Sequence, residues 1–333
     1  MKILKQSIGV DVSKNDFKVC LGIINDGLEK TIVYESSYAN DKKGIKKFIK
    51  DAATKTCHPI PSLFIMEATG VYHQELAYAL AANHLSVAIL LPNKAKSFAK
   101  SINIRAKSDV IDAKLLCQMG LERNLSTWQP PEAIFATLKT LTRERETIVL
   151  QRSKLKNQLH AYKTAFIKTD KTISRIKKHI LFLDKQIKDT EIDMKLLIKH
   201  DQRVETKIKK ISKVKGLSFL SIVTILAETD GFNIIMNQKQ LIGYSGLDVR
   251  VDQSGEKNTK GRITKKGNSH LRKALYMPAL NACRTNKTMQ VFYTRLNERQ
   301  KAKKQGIIAV QRKLLLLTYS LWKTDQDYLE NCA

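Results

Sequence analysis

The sequence predicts three parts in order: an α/β domain over residues 1–127, an antiparallel coiled-coil hairpin over 128–211, and a mainly α domain over 212–333. Three observations predict it. Strand-like and helix-like patterns alternate through the first 120 or so residues. Two long heptad stripes follow, joined by a short polar break. Apolar helical patterns then return, interrupted by one glycine-rich basic segment.

The chain has 333 residues and 43% apolar content, enough for real cores, yet its formal net charge is +28. A charge excess of that size points to a polyanionic partner, and nucleic acid is the commonest. A membrane is not expected, because no apolar run approaches the ~20 residues of a spanning helix. MKILKQSIGVDV lacks the apolar core and cleavage site of a signal peptide. The five cysteines are scattered without a Cys-x-x-Cys pair. This argues against zinc and fits a reducing cytoplasm; a nucleoid-associated location within it is expected.

In the first part, strands are expected at 8–12, 17–24 and 31–38, with Asn25-Asp26-Gly27 supplying a turn. A helix follows at 42–53, a strand at 63–67, a helix at 73–83 and a strand at 86–91. Pro92 then opens another helix. The order β-β-β-α-β-α-β-α is that of a ribonuclease-H-like domain. Trp128-Gln129-Pro130-Pro131 punctuates the chain. One stripe runs from Ile134 to Phe166 and a second from Ile173 to Ile211, with Arg145, Arg152 and Asp201 at seam positions. In the last part, Val214-Lys215-Gly216-Leu217 could offer backbone N–H groups to a phosphate; an ordinary helix connection is the equal alternative.

Four acids stand out in this basic chain. Asp11 interrupts Ile8-Gly9-Val10-Asp11-Val12, and Glu67 ends Leu63-Phe64-Ile65-Met66-Glu67. Asp109 and Asp112 lie three apart, on one face of a helix. A carboxylate on a buried strand is costly unless a cation or donor compensates it. Three segments offering carboxylates at a sheet edge suit Mg²⁺, with Mn²⁺ as the substitute, leaving room for substrate phosphate. Asp109 and Asp112 also read as a helix-start pair favoured by the macrodipole; Asp11, on a strand, has no such reading.

A second segment, residues 253–272, carries three glycines and almost no apolar residue. Lys257, Lys260, Arg262, Lys265, Lys266 and Arg272 are its candidate nucleic-acid contacts, since glycines admit close backbone approach to phosphate and cations neutralise it. Asn268 or Ser269 can cap the following helix. Ser254 sits among these cations as a candidate nucleophile, although the local string supplies no general base. His270 is the nearby alternative for that role and reads more readily as a helix-start or phosphate contact. An exposed flexible hairpin is the plainer reading of the segment.

These residues resemble a known family. Gly9-Val10-Asp11-Val12-Ser13-Lys14, Met66-Glu67-Ala68-Thr69-Gly70-Val71-Tyr72 and Lys107-Ser108-Asp109-Val110-Ile111-Asp112-Ala113 resemble the DEDD transposases of bacterial insertion sequences, kin of the Piv/MooV invertases. Tyr244-Ser245-Gly246-Leu247, Gln253-Ser254-Gly255, Ile263-Thr264-Lys265-Lys266-Gly267-Asn268 and Arg312-Lys313-Leu314-Leu315 extend the resemblance nearly end to end. It implies a RuvC-like domain whose tetrad maps onto Asp11, Glu67, Asp109 and Asp112 and binds Mg²⁺. It also implies a C-terminal transposase domain with a nucleophilic serine, here Ser254, completing a composite site. Partners implied are target and donor DNA, a structured noncoding bridge RNA pairing with both, and a homodimer that assembles to a tetramer. Ser218 departs from the family's Gly-x-Gly turn and Val249 from a usual proline; Asn297-Glu298-Arg299-Gln300 departs from a glycine-lysine pattern. None of these touches the five expected catalytic positions.

Two rivals stand beside this expectation. One is a RuvC-like nuclease or junction resolvase that uses metal-activated water, with Ser254 structural. The other is a basic architectural binder, which has no need of carboxylates on strands.

Overall fold

The computed structural model describes residues 2–68, 70–103, 108–167, 169–250, 253–254, 257–258, 262–299 and 303–329. It divides into two compact units, 1–130 and 131–333.

The first unit runs β1 (Ile3–Val12), β2 (Asp16–Asn25), β3 (Lys30–Ala39), α1 (Lys42–Lys55), β4 (Ser62–Glu67), α2 (Gln74–Ala82), β5 (Ser86–Leu90), α3 (Pro92–Ser101) and α4 (Asp109–Glu122). The sheet order is β3-β2-β1-β4-β5. The first three strands are antiparallel, while β4 and β5 run parallel to β1. This is the element order expected of a ribonuclease-H-like domain. The strands are longer than their apolar runs suggest: β1 begins at Ile3, because the polar stretch Lys5-Gln6-Ser7 separates Ile3-Leu4 from the apolar run that starts at Ile8.

Alternation along the strands builds two faces. Val10, Val12, Phe17, Phe64 and Met66 pack with Ile45, Phe48 and Ala52 of α1 and with Leu76, Ala77 and Leu80 of α2. On the other face, Ile65 packs with α3 and α4, and Cys20 with Ala113, Cys117 and Leu121 of α4. Asp41 caps α1, its side chain accepting from Gly44 N at 2.7 Å.

The second unit runs α5 (Ala133–Thr164), α6 (Asp170–Lys199), α7 (Gln202–Ile211), α8 (Phe219–Thr229), α9 (Gln238–Ser245), β6 (Val249–Arg250), β7 (Gln253–Ser254), β8 (Lys257–Asn258), β9 (Arg262–Ile263), α10 (Ser269–Thr285), α11 (Lys287–Arg299) and α12 (Lys303–Thr324). α5 and α6 pack antiparallel, with Ile148 against Leu183 and Ile187. The seam arginines pair across them, Arg145 with Glu191 and Arg152 with Asp184, each at 2.7 Å.

The second heptad stripe is not one helix. It breaks after Lys199, and Asp201 accepts from Val204 N at 3.0 Å as the N-cap of α7. A seam position in the sequence is thus a cap in the structure. The root of the hairpin shares one core with the C-terminal helices: Phe135, Leu138, Met194 and Ile198 cluster with Ile222, Leu226, Phe232 and Leu314. Apolar burial is therefore continuous across residues 211 and 212. Among the described residues, no helix is long and apolar enough to cross a membrane.

Candidate active site

The registered pairs of β1 and β4 end with Val10 opposite Met66. Asp11 and Glu67 are the next residues on these neighbouring parallel strands. Val10 and Met66 are fully buried on one face, so Asp11 and Glu67 belong to the other, the face of Gly9 and Ile65.

α4 covers that face at very close range. A Cβ on Gly9 would lie 2.1 Å from Ala113 O and 2.3 Å from Cys117 N. A Cβ on Gly120 would lie 2.2 Å from Ser7 Oγ. Moving forward along β1 from Ser7 to Gly9 therefore means moving backward along α4 from Gly120 towards Ala113. The helix runs antiparallel to the strand, and its first turn, with Asp109 and Asp112, continues towards Asp11. Sheet register sets Asp11 beside Glu67, and helix direction points the first turn of α4, with Asp109 and Asp112, towards the same end of the sheet.

Asp11, Glu67 and Asp112 are half-buried and Asp109 is exposed. The desolvation cost expected of a buried strand carboxylate is therefore reduced, because both strands end where solvent begins. Ser108 caps α4, accepting from Ile111 N at 3.3 Å, and both aspartates lie in the helix's first turn. The helix-start reading of Asp109 and Asp112 thus holds alongside the functional one. Thr69 and Lys107, which flank these acids in the sequence motifs, lie outside the described residues.

The donor chemistry fits a hard divalent cation: four carboxylates, at an edge that solvent reaches. Among the described residues, no group of three or more Asp, Glu, His or Cys side chains is placed so that it could hold a metal ion. Mg²⁺ needs only one or two protein carboxylates when waters and substrate phosphate complete its shell.

Gly9→Ala tests this packing. The added methyl cannot fit beside backbone atoms of α4, so strand and helix must separate. The expected cost is about 2–3 kcal/mol of stability, as for overpacking in a core, measured by denaturant unfolding, with DNA cleavage lost more steeply than fold.

Two short ladders are described in and beside the basic segment. β6 pairs antiparallel with β9, Arg250 opposite Arg262. β7 pairs with β8, Ser254 opposite Lys257. For Ser254, Lys257 and Arg262 only the backbone is described; Lys260 lies outside the described residues. Lys265 and Lys266 are exposed, and Lys265 holds a left-handed φ of 53°. Arg272 is a structural residue. Its Nη1 donates to Ser245 O at 2.7 Å, Gly267 O at 3.2 Å and Asn268 O at 3.3 Å. His270 is engaged by Glu146 through Nδ1 at 2.5 Å, and Lys273 reaches the same carboxylate at 2.6 Å. The turn at Gly216 also proves structural. Its φ is 105°, and a Cβ there would meet Ala282 Cβ at 2.6 Å, so the glycine permits α10 to pack.

The sequence reading missed the group that anchors this segment. Glu228 is only 1% exposed. It accepts from Arg143 Nε at 2.8 Å, Arg143 Nη2 at 3.0 Å and Asn268 Nδ2 at 2.7 Å. Asn268 in turn caps α10 through His270 N and Leu271 N. Asn268 N also donates to Tyr244 O at 2.7 Å, and Thr264 N to Asp248 O at 2.9 Å, joining the two ends of the ribbon. A single acid in the otherwise apolar run of α8 was the available signal.

Burial pushes the Glu228 carboxyl up, but hydrogen bonds from Arg143 and Asn268 outweigh it and hold the group below its ordinary range. The folded value lies below the unfolded one. Its stabilisation is therefore present above the unfolded carboxylate range near pH 4.3 and is lost as pH falls through the folded value. Glu228→Ala is expected to cost about 2–3 kcal/mol, less than a fully buried pair because Arg143 can rehydrate. Unfolding curves of wild type and variant should converge in acid.

A DEDD-type IS110 transposase family model matches residues 8–165. A second, described as the transposase IS116/IS110/IS902 family, matches residues 208–294. The pilin gene-inverting protein of Moraxella bovis is 29% identical over 97% of this chain and 98% of its own length. The transposase of insertion sequence IS1328 from Yersinia enterocolitica is 22% identical over 80% of this chain and 81% of its own. Among solved structures, Thermus thermophilus RuvC aligns at 8% identity and a TM-score of 0.29, covering 37% of this chain and 99% of that one. With both of its units matched by transposase models, the chain belongs to the DEDD family of insertion-sequence transposases, recombinases that cleave and rejoin DNA.

Proposed function

We propose that this transposase excises and inserts its element by Mg²⁺-dependent serine chemistry on donor and target DNA, directed by a structured bridge RNA. The observation that supports the metal half is the adjacency of Asp11 and Glu67 across parallel strands, with the first turn of α4 directed towards the same end of the sheet. Asp11, Glu67, Asp109 and Asp112 would hold the ion. When bound, Mg²⁺ or Mn²⁺ supplies positive charge against the phosphate oxygens.

Ser254 is the nucleophile. Its hydroxyl gives up its proton to solvent as Oγ bonds to phosphorus, the bond from phosphorus to one strand breaks, and that strand leaves as a hydroxyl carrying a proton from solvent. Attack by a strand hydroxyl reverses the step and frees the serine. Lys257, Lys260, Arg262, Lys265 and Lys266 neutralise the DNA backbone around it. Arg272 holds the base of the ribbon together.

The guided reading rests on the family resemblance and on a surface rich in lysine and poor in base-reading groups, which suits backbone and shape recognition. Assembly as a dimer that pairs into a tetramer, partly through a coiled coil of α5 and α6, belongs to the same reading.

The test is covalent trapping. Wild-type protein incubated with its element ends and Mg²⁺, then denatured, should carry a DNA adduct on the peptide containing Ser254. Cleavage without an adduct would favour the water-activated nuclease. Protein purified at low salt should also carry RNA, seen as excess absorbance at 260 nm that ribonuclease removes; protein free of RNA under those conditions would count against guidance.

A further inference from the structure

The carboxylate edge does not account for the lysine-rich surface of α1. Helix α1 exposes Lys42, Lys43, Lys46, Lys47 and Lys50. Its buried side is Ile45, Phe48 and Ala52. Like charges therefore meet at i,i+4 (Lys42 with Lys46, Lys43 with Lys47, Lys46 with Lys50) and at i,i+3 (Lys43 with Lys46, Lys47 with Lys50). Each such pair costs an isolated helix a few tenths of a kcal/mol.

Among the described residues, nothing offsets this. None of the five lysines has a salt bridge among them, whereas Lys18, Lys30 and Lys114 of the same unit do. The helix's own acids are engaged elsewhere: Asp41 caps its start and Asp51 accepts from Tyr38 Oη at 3.0 Å. Glu75 of α2 lines the same groove as Lys42 and Lys46 without bridging to either. Local rules broken repeatedly without compensation are expected at functional surfaces.

The placement of α1 relates this surface to the carboxylate end of the sheet. Ala39, three residues before the helix, pairs with Asp16 at the end of the sheet where β1 finishes. Asn40 N donates to Asn15 O at 2.9 Å. Its Nδ2 donates to Ser13 O at 2.9 Å and Tyr72 O at 3.1 Å. The helix thus begins at the carboxylate end, beside the turn that exposes Lys14. Its far end is tied to the start of β1, where Gln6 Oε1 accepts from Cys57 N at 2.8 Å. From Lys42 to Lys50 the lysines extend about 12 Å at 1.5 Å per residue. They run away from the carboxylates along the opposite face of the sheet.

We propose that the lysine face of α1 is a track for the phosphate backbone of duplex DNA flanking the cleavage point, entered from the carboxylate edge past Lys14. It reads charge and spacing, not sequence. The inference rests on DNA being the substrate and on the edge being the cleavage site, and its binding readout does not depend on Ser254.

The experiment compares full-length wild type with Lys43→Gln/Lys46→Gln/Lys47→Gln/Lys50→Gln, using labelled duplex DNA of arbitrary sequence and RNA of the same length. A control, Lys177→Gln/Lys185→Gln/Lys188→Gln/Lys195→Gln on α6, removes the same net charge elsewhere. The α1 variant should unfold at or above the wild-type temperature, since repulsion is relieved. Its slope of log affinity for DNA against log salt should become shallower by about 0.9 for each phosphate that is no longer neutralised. Four Lys→Arg substitutions at the same positions should restore the slope. The proposal is overturned by an unchanged slope, by an equal change in the α6 control, or by weakened RNA binding with DNA binding intact. Loss of cleavage in Asp11→Asn with an unchanged α1 slope would sink the track while leaving the metal site standing.

Discussion

Asp11→Asn, and separately Glu67→Gln, should lower DNA strand cleavage by roughly a thousandfold or more, with folding intact. Both substitutions keep side-chain shape and remove one negative charge. They strike where adjacent parallel strands deliver two carboxylates one residue beyond the last registered pair. Losing a metal ligand removes several kcal/mol of transition-state charge stabilisation, and each 1.36 kcal/mol is tenfold in rate. Chelation should abolish cleavage in the wild type, with Mg²⁺ or Mn²⁺ restoring it. Asp109→Asn and Asp112→Asn should in addition cost up to about 1 kcal/mol of stability, since each loses a favourable charge at the start of α4. Cleavage at wild-type rate in both Asp11→Asn and Glu67→Gln would remove the metal site from the mechanism.

Ser254→Ala should abolish the covalent adduct and reduce strand transfer by about 10³-fold or more, because the residues left behind cannot form the intermediate. DNA affinity should stay near wild type, since the cations flanking Ser254 are untouched. The two variants separate by their effects. Asp11→Asn should still bind DNA but form the adduct very slowly, whereas Ser254→Ala should never form it. Ordinary cleavage by Ser254→Ala would show that water is the nucleophile and the serine a turn residue at the end of β7.

Much of the first unit was legible because its elements obey short-range rules. Alternating apolar runs marked the strands, Pro92 opened α3, and the position of Asp11 on a strand was anomalous on physical grounds. Other features had no local signature. Asp201 fits the heptad spacing, and only the chain's actual path makes it a cap for α7. Glu228 sits in an apolar run with no motif around it. Its partners Arg143 and Asn268 lie 85 and 40 residues away, so no spacing could have announced them. Arg272 read as a phosphate contact because composition reports charge; only the fold shows that its Nη1 also holds three carbonyls, Ser245 O, Gly267 O and Asn268 O.

The sequence by itself determined the residue types: carboxylates on apolar strands, a serine among cations, a strongly basic surface and the motif order of a transposase family. Local periodicity and side-chain chemistry suffice for these. Tertiary structure decided which residues meet. Strand register set Asp11 beside Glu67, and the antiparallel course of α4 over Gly9 pointed its first turn towards the same end of the sheet. Burial at the root of the hairpin fixed the ribbon to Glu228. Both depend on long-range packing, where a methyl group at Gly9 or a charge at Glu228 matters only because another element lies within bonding distance.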